Sequence, residues 1–171
     1  MWCVALLSLY AVKQTKHRRP AIAPDASRFR LRIGRSRIHG WGVFADQRIP
    51  PGRKVVEYTG KLFSRPQMGE RLRRILNRQG RMPRYVFRLS RYWYVDGKIG
   101  GCGAERINHC CDPNLRVRKI VGHILLFSRR RIQAGEELTL DYKLRPDAAV
   151  VHCRCGSPVC RGTINLQKTA V

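Results

Sequence analysis

The sequence predicts a mostly β domain of small irregular sheets with one short helix, followed by a cysteine-rich tail. Three observations point there. Short apolar-alternating runs recur along the chain with Gly and Pro between them, a single stretch has helical periodicity, and three cysteines crowd into residues 153–160. At 171 residues the chain is long enough for one domain with a real core and short for two.

The elements follow in order. Lys13 to Ser27, with Pro20 and Pro24, reads as a basic linker. Phe29, Leu31 and Ile33 alternate with Arg28, Arg30 and Arg32, the pattern of a half-buried strand. His39 to Phe44 is a flexible turn running into a strand, and Val55 to Tyr58 is a β-rich run ended by Gly60. The helix spans about Arg65 to Arg78, with Met68, Leu72, Ile75 and Leu76 on one face. Ser64 with Gln67 resembles a capping box, and Pro66 suits the first turn. Tyr85, Phe87 and Leu89 alternate as a further strand, followed by Trp93 and Val95. Leu115–Ile120 and His123–Phe127 form a hairpin turning at Val121-Gly122. Ile132 to Tyr142 holds a turn at Gly135 and a last strand ending on the tyrosine.

Lys and Arg together number 35 against 11 Asp and Glu, a net charge of +24 spread from Lys13 to Lys168. Such a field attracts polyanions or acidic protein surfaces, so DNA or RNA contact through the basic surface is one reading. A solvated Arg-rich surface is the other. Seven cysteines, an odd number, argue against a secreted disulfide framework and for metal binding in a reducing compartment. Met1 to Val12 is apolar but too short to span a bilayer, and its basic residues follow it, unlike those of a signal peptide. It reads as a loosely attached arm, a weak membrane anchor or a start codon called too early, and no transmembrane segment is expected.

Cys153-x-Cys155-x4-Cys160 can converge on one tetrahedral Zn²⁺, with Gly156 relieving the bend. Three ligands call for a fourth, for which Cys110, Cys111 and His152 compete. Asn108-His109 precedes a turn set by Pro113, in which Asn108 and Asn114 can cap backbone groups; the alternative is contact with a ligand. Gly40-Trp41-Gly42 offers close approach to the backbone and an apolar wall, or is simply a turn. Tyr142 follows Asp141, and its hydroxyl needs a partner if buried.

In order and spacing these segments resemble the SET-domain protein lysine methyltransferases. The likeness is carried by His39-Gly40-Trp41-Gly42-Val43-Phe44, Glu57-Tyr58-x-Gly60, Tyr85-Val86-Phe87, Val95-Asp96-Gly97, Asn108-His109-x-Cys111-x-Pro113-Asn114, Gly135-Glu136-Glu137-Leu138-Thr139-x-Asp141-Tyr142 and the Cys153–Gly162 post-SET pattern. It covers roughly residues 28 to 165. It implies an arm over 1–27, a SET domain over 28–147 and a zinc-binding post-SET tail over 148–171. It also implies a pseudoknot in which the Asn108 loop and the Tyr142 segment thread together.

The resemblance implies S-adenosyl-L-methionine as cofactor, held by Gly40, Trp41, Gly42, Asn108 and His109 with Tyr142 beside the methyl group. Tyr142 and Tyr85 would be the catalytic pair, Tyr142 orienting a lysine amine and Tyr85 lining its channel. Cys111 would be the fourth zinc ligand with Cys153, Cys155 and Cys160. The partner would be a protein presenting a lysine, a histone or another basic protein on nucleic acid. The compact Arg-rich build suits a bacterial source; the chain would act in cytoplasm or nucleoid there, and in the nucleus of a eukaryote. Three positions depart from the family: Glu105 and Arg106 replace an Arg-Phe pair, and Lys61 replaces a glutamate. They motivate a catalytically degenerate SET domain as the rival, beside a zinc-stabilised nucleic-acid-binding module. Leu140 stands where the family carries Phe or Tyr, so more than one methyl group is expected to fit.

Overall fold

A computed structural model describes residues 21–80 and 85–167 of the chain. The apolar stretch Met1–Val12 and most of the basic linker lie outside the described residues. Among the described residues, ten short strands form four small sheets, accompanied by one α-helix and two 3-10 turns.

β1 (Leu31–Arg35) and β2 (Trp41–Ala45) form an antiparallel pair around the Ser36–Gly40 turn. The first strand thus begins two residues later than the alternation from Phe29 suggests, since Ser27 closes a local turn on Phe29. β3 (Lys54–Glu57) joins β9 (His123–Ser128), which pairs along its length with β8 (Leu115–Ile120). The expected hairpin turns at Val121 and Gly122, whose φ values of 41° and 82° give a right-twisted ribbon its two-residue loop.

A third sheet orders β4 (Lys61–Ser64), β6 (Trp93–Asp96) and β5 (Val86–Arg88). The sequence reading missed β4. Leu62 is half exposed there, so this edge strand shows no apolar alternation. Its last residue caps α1 (Arg65–Gln79), and the Ser64 amide donates to the Gln67 side chain at 2.9 Å. Gly80 ends the helix in the left-handed conformation.

The helix is less amphipathic in practice than its sequence. Met68 is 1% exposed, whereas Leu76 at the far end is 43% exposed. Arg71 anchors the near end instead, reaching buried Asp96 of β6 at 2.6 and 2.7 Å.

The fourth sheet positions the site. β7 (Asn108–His109) and β10 (Thr139–Leu140) run parallel, with Thr139 opposite Asn108 and Leu140 opposite His109. A self-satisfied loop at Asn108-His109 is therefore corrected to a strand, and the last strand stops at Leu140 rather than Tyr142. Both two-residue strands lie below the length at which periodicity is readable. Beneath them, Val43, Val56, Ile107, Leu126, Leu138 and Leu140 form part of one continuous core.

Candidate functional site

Asn108 and His109 sit on β7, buried on a strand whose partner is brought from 31 residues away. Their side chains diverge, as successive strand residues must. The Asn108 amide donates to the carbonyls of His39 and Trp41 at 3.2 and 3.1 Å and to Glu137 Oε1 at 2.8 Å. Asn108 thus ties β7 to the Gly40–Gly42 turn. Asn114, 2% exposed, does the same further along: it accepts from the Thr139 amide and donates to Glu137 O and Glu136 Oε1. The sequence left capping of their own turn and contact with a ligand as alternatives for the two asparagines, and neither caps that turn. The structure directs them to other segments, where unpaired backbone groups need partners: Asn108 to the His39 and Trp41 carbonyls, Asn114 to the Glu137 carbonyl and the Thr139 amide.

Glu137 is the residue that sequence reasoning passed over. Its carboxylate accepts from Ser36 Oγ at 2.9 Å and from Asn108, and a Cβ on Gly42 would collide with it. Gly42 therefore makes room for Glu137. Gly40 is different: its φ of +51° is left-handed, and a Cβ there would meet nothing. The backbone at Gly40 is the open side of the turn. Trp41 packs one face under the Arg35 guanidinium, 4.6 Å from the ring centre.

His109 carries Tyr142. The Tyr142 amide donates to His109 Nδ1 at 3.2 Å, and the two rings meet edge to face at 5.4 Å. Burial holds this imidazole below its ordinary pKa, with Arg161 adding to the effect and Asp141 opposing it. The neutral ring that accepts at Nδ1 carries its proton on Nε2, which lies 3.4 Å from Cys111 Sγ. The Tyr142 hydroxyl donates to Ile107 O at 2.7 Å, while the residue as a whole is 44% exposed. Gly40, Trp41, Gly42, Asn108, His109 and Tyr142 accordingly form one contiguous cluster, open at Gly40 and at Tyr142. The cluster thus presents backbone at one open edge and an aromatic hydroxyl at the other.

Tyr85 stands next to this cluster through Tyr58. Its carbonyl accepts from the Tyr58 hydroxyl at 2.6 Å and from the Gly97 amide at 2.9 Å. Its φ of 73° is unusual for a bulky residue, and those two bonds hold it there. Burial pushes the Tyr58 phenol far above its ordinary value, and Glu105 and Tyr142 nearby add to this, so Tyr58 stays a neutral donor. The three departures are each accommodated. Glu105 accepts from the Gly103 amide at 2.8 Å, Arg106 lies 3.8 Å from Glu105, and exposed Lys61 rests over Phe63.

Four thiols form the second half of the site. The sulfurs of Cys111, Cys153, Cys155 and Cys160 all lie within 4.8 Å of one another, with Cys111 at 3.7 Å from Cys153 and 3.9 Å from Cys160. Thiolates about 2.3 Å from a tetrahedral ion stand about 3.8 Å apart, so this set can hold a metal ion. Amides of Arg161 and Gly162 point at Cys111 and Cys160 sulfurs, each at 3.4 Å, as neighbours of anionic sulfur do. Of the competitors, Cys110 is buried with its thiol donating to Asp112 O and lies beside Cys155, but it is outside the set of four; His152 is exposed and its backbone pairs with Thr163. Asp141 and Arg161 complete the link between tail and cluster, with two hydrogen bonds of 2.9 and 3.1 Å.

No helix among the described residues is long and apolar enough to cross a membrane. Residues 40–143 match the SET domain family. Among curated proteins, the chain is 41% identical over 142 residues to "Histone-lysine N-methyltransferase TRX1" of Oryza sativa subsp. japonica, an alignment covering 81% of this chain and 14% of that protein. It is 38% identical over 138 residues to "Histone-lysine N-methyltransferase, H3 lysine-4 specific" of Mycosarcoma maydis, covering 77% and 9%. With "Histone-lysine N-methyltransferase trithorax" of Drosophila melanogaster it shares 39% over 137 residues, covering 78% and 4%. The chain thus spans only a small part of the length of these relatives.

Proposed function

The chain belongs to the SET-domain family, and from that premise we propose that it is an S-adenosyl-L-methionine-dependent protein-lysine N-methyltransferase. The observation that carries this reading is the Tyr142 phenol, anchored on Ile107 O and on His109 at the open edge of the Asn108 cluster. The curated relatives carry histone-lysine methyltransferase names, which supports a basic protein, a histone in a eukaryotic setting, as the substrate class.

The cofactor would lie along the Gly40–Trp41 backbone and the Asn108-His109 strand. It supplies an electrophilic methyl group on a sulfonium. This chain's residues supply position. Tyr142, its proton directed at Ile107 O, turns an acceptor oxygen towards the N–H groups of an incoming lysine. Tyr85, held on Tyr58, would line the lysine's path. Holding nucleophile and methyl carbon in line contributes several kcal/mol of the barrier, about 7–11 in the best-oriented reactions. The lysine amine, ordinarily near a pKa of about 10.4, must reach the site neutral. An apolar channel favours the neutral form, and the released proton leaves to water.

Zn²⁺ fits the four-thiol set by donor chemistry and spacing, and would hold residues 148–171 as a post-SET tail against a domain spanning 28–147. The metal then acts structurally, since four protein ligands leave it no open position.

Calorimetry with S-adenosyl-L-methionine and a radiolabelled methyl-transfer assay on histones test the reading together. Binding that is lost in Trp41→Ala, with methyl incorporated into lysine by the unaltered chain, is the expected result. A chain that binds no cofactor would leave the degenerate or nucleic-acid-binding alternative standing. Zinc near one per chain, lost in Cys111→Ser, is the matching expectation for the tail.

A further inference from the structure

A second concave feature shares no residue with the cluster described above. A cavity of about 430 Å³ opens where Arg65 at the start of α1, Arg88 and Arg91 around the end of β5, Lys119 of β8 and Arg145 come together. Ser90 and Tyr94 complete its wall, and no carboxylate lines it. Arg145 is engaged by Asp147 at the exposed rim; among the described residues the other four cations form no ion pair. The crowding is felt locally. Burial, and then the nearby Arg88 charge, hold Lys119 below the ordinary lysine range.

Cations gathered without a counter-charge repel one another and destabilise the fold, so an arrangement of this kind calls for an anion. Guanidinium groups present paired N–H donors that match the spacing of phosphate oxygens, and the Ser90 and Tyr94 hydroxyls are further phosphate donors. We propose that this cavity docks the phosphate backbone of a nucleic acid. An acidic peptide fits less well. Its carboxylates sit singly at side-chain ends, whereas duplex DNA carries a charge about every 1.7 Å and continues past the cavity. The wider field favours that continuation, since the chain as a whole carries +24. Docking of this kind would bring the enzyme to basic proteins already seated on nucleic acid, which a +24 chain would otherwise repel when free. Only that last consequence rests on the methyltransferase reading; the binding itself does not.

The test is fluorescence anisotropy of a short labelled DNA duplex with the full chain, without cofactor, over a series of salt concentrations. An Arg88→Ala/Arg91→Ala variant is compared with Arg73→Ala/Arg78→Ala, which removes the same charge from exposed positions of α1 away from the cavity. The cavity variant is expected to bind about tenfold more weakly, with the log–log salt slope reduced by about 1.8, two phosphate contacts at about 0.9 each. The helix variant should lose less than about threefold. Equal losses in both variants would overturn the site in favour of a diffuse field. Displacement of the duplex by poly-glutamate at equal charge would overturn nucleic acid in favour of an acidic protein. If the double variant melts early, Arg145→Ala at the exposed rim is read in its place, against the same two outcomes.

Discussion

The Arg161 guanidinium clasps the Asp141 carboxylate through two hydrogen bonds, 2.9 and 3.1 Å, one residue before Tyr142. The tail is thereby held to the cluster by an ion pair as well as by sulfur. Burial pushes the Asp141 carboxyl up, but the Arg161 bonds and the Lys143 amide outweigh it and hold it below its ordinary value. Arg161→Ala should release the tail without removing a thiol. Faster hydrogen exchange over residues 148–166 with zinc content unchanged is the expected result. Exchange and zinc content both unchanged would assign the docking to the metal alone.

Asn108→Ala should damage two things together. Its amide bridges the His39 and Trp41 carbonyls to Glu137, and removing it leaves a part-buried carboxylate short of a donor. The cost is about 1–3 kcal/mol of stability. Thermal melting should show that loss, and calorimetry should show cofactor binding gone. A variant that melts normally and still binds would mean that Asn108 holds neither turn nor ligand.

Tyr142→Phe removes the hydroxyl that donates to Ile107 O and keeps the ring on His109. Cofactor affinity should stay within a few-fold, while turnover falls about 10–100-fold, the range of one or two hydrogen bonds to the reacting group. Steady-state kinetics beside calorimetry separates the two. Equal losses in both measurements would make Tyr142 a binding residue only.

Glu136 should set an acid-sensitive part of the stability. Its carboxylate meets Arg130 at 2.6 Å, the Asn114 amide at 2.9 Å and the Gln133 amide at 3.0 Å. Burial raises its pKa, but these partners outweigh burial and the net shift is downward. A folded-state pKa below the unfolded value of about 4.3 gives stability that is complete above that value and lost as pH falls through the folded one. The melting-temperature gap between the natural chain and Glu136→Gln should therefore be full near pH 7 and close below about pH 4. A gap that is constant down to the acid limit would mean that the charge on Glu136 contributes nothing.

Leu140 is 4% exposed on β10, next to Asp141 and two residues before Tyr142. A leucine has no hydroxyl with which to hold a water against the amine. Mass spectra of product should show di- or trimethyl-lysine accumulating with time, and Leu140→Tyr should shift product towards monomethyl-lysine. Only monomethyl-lysine from the natural chain after prolonged reaction would rule this out.

Much of this architecture was legible along the chain. The β8–β9 hairpin and its Val121-Gly122 turn, the capped helix from Arg65, and the strands at Val55 and Val86 each depend on neighbours a few residues away, and local pattern reports them directly. β4 escaped because an edge strand with exposed Leu62 carries no alternation. β7 escaped because two residues have no period, and β10, expected to run to Tyr142, had its end misplaced for the same reason.

The sequence by itself determined which residue types were available to the site: the Asn-His pair, the tyrosine after Asp141, and the thiols at spacings that suit one ion. Those are short-range facts of order and chemistry. The tertiary structure alone decided that Asn108 spans to the Gly40–Gly42 turn and that Glu137 fills the space beside Gly42, and it brought Cys111, the ligand the resemblance implied, within reach of the three tail thiols. Each joins segments far apart in the chain. Which buried polar group meets which is set by how the sheets pack and which backbone groups are left to satisfy, and no local period records that.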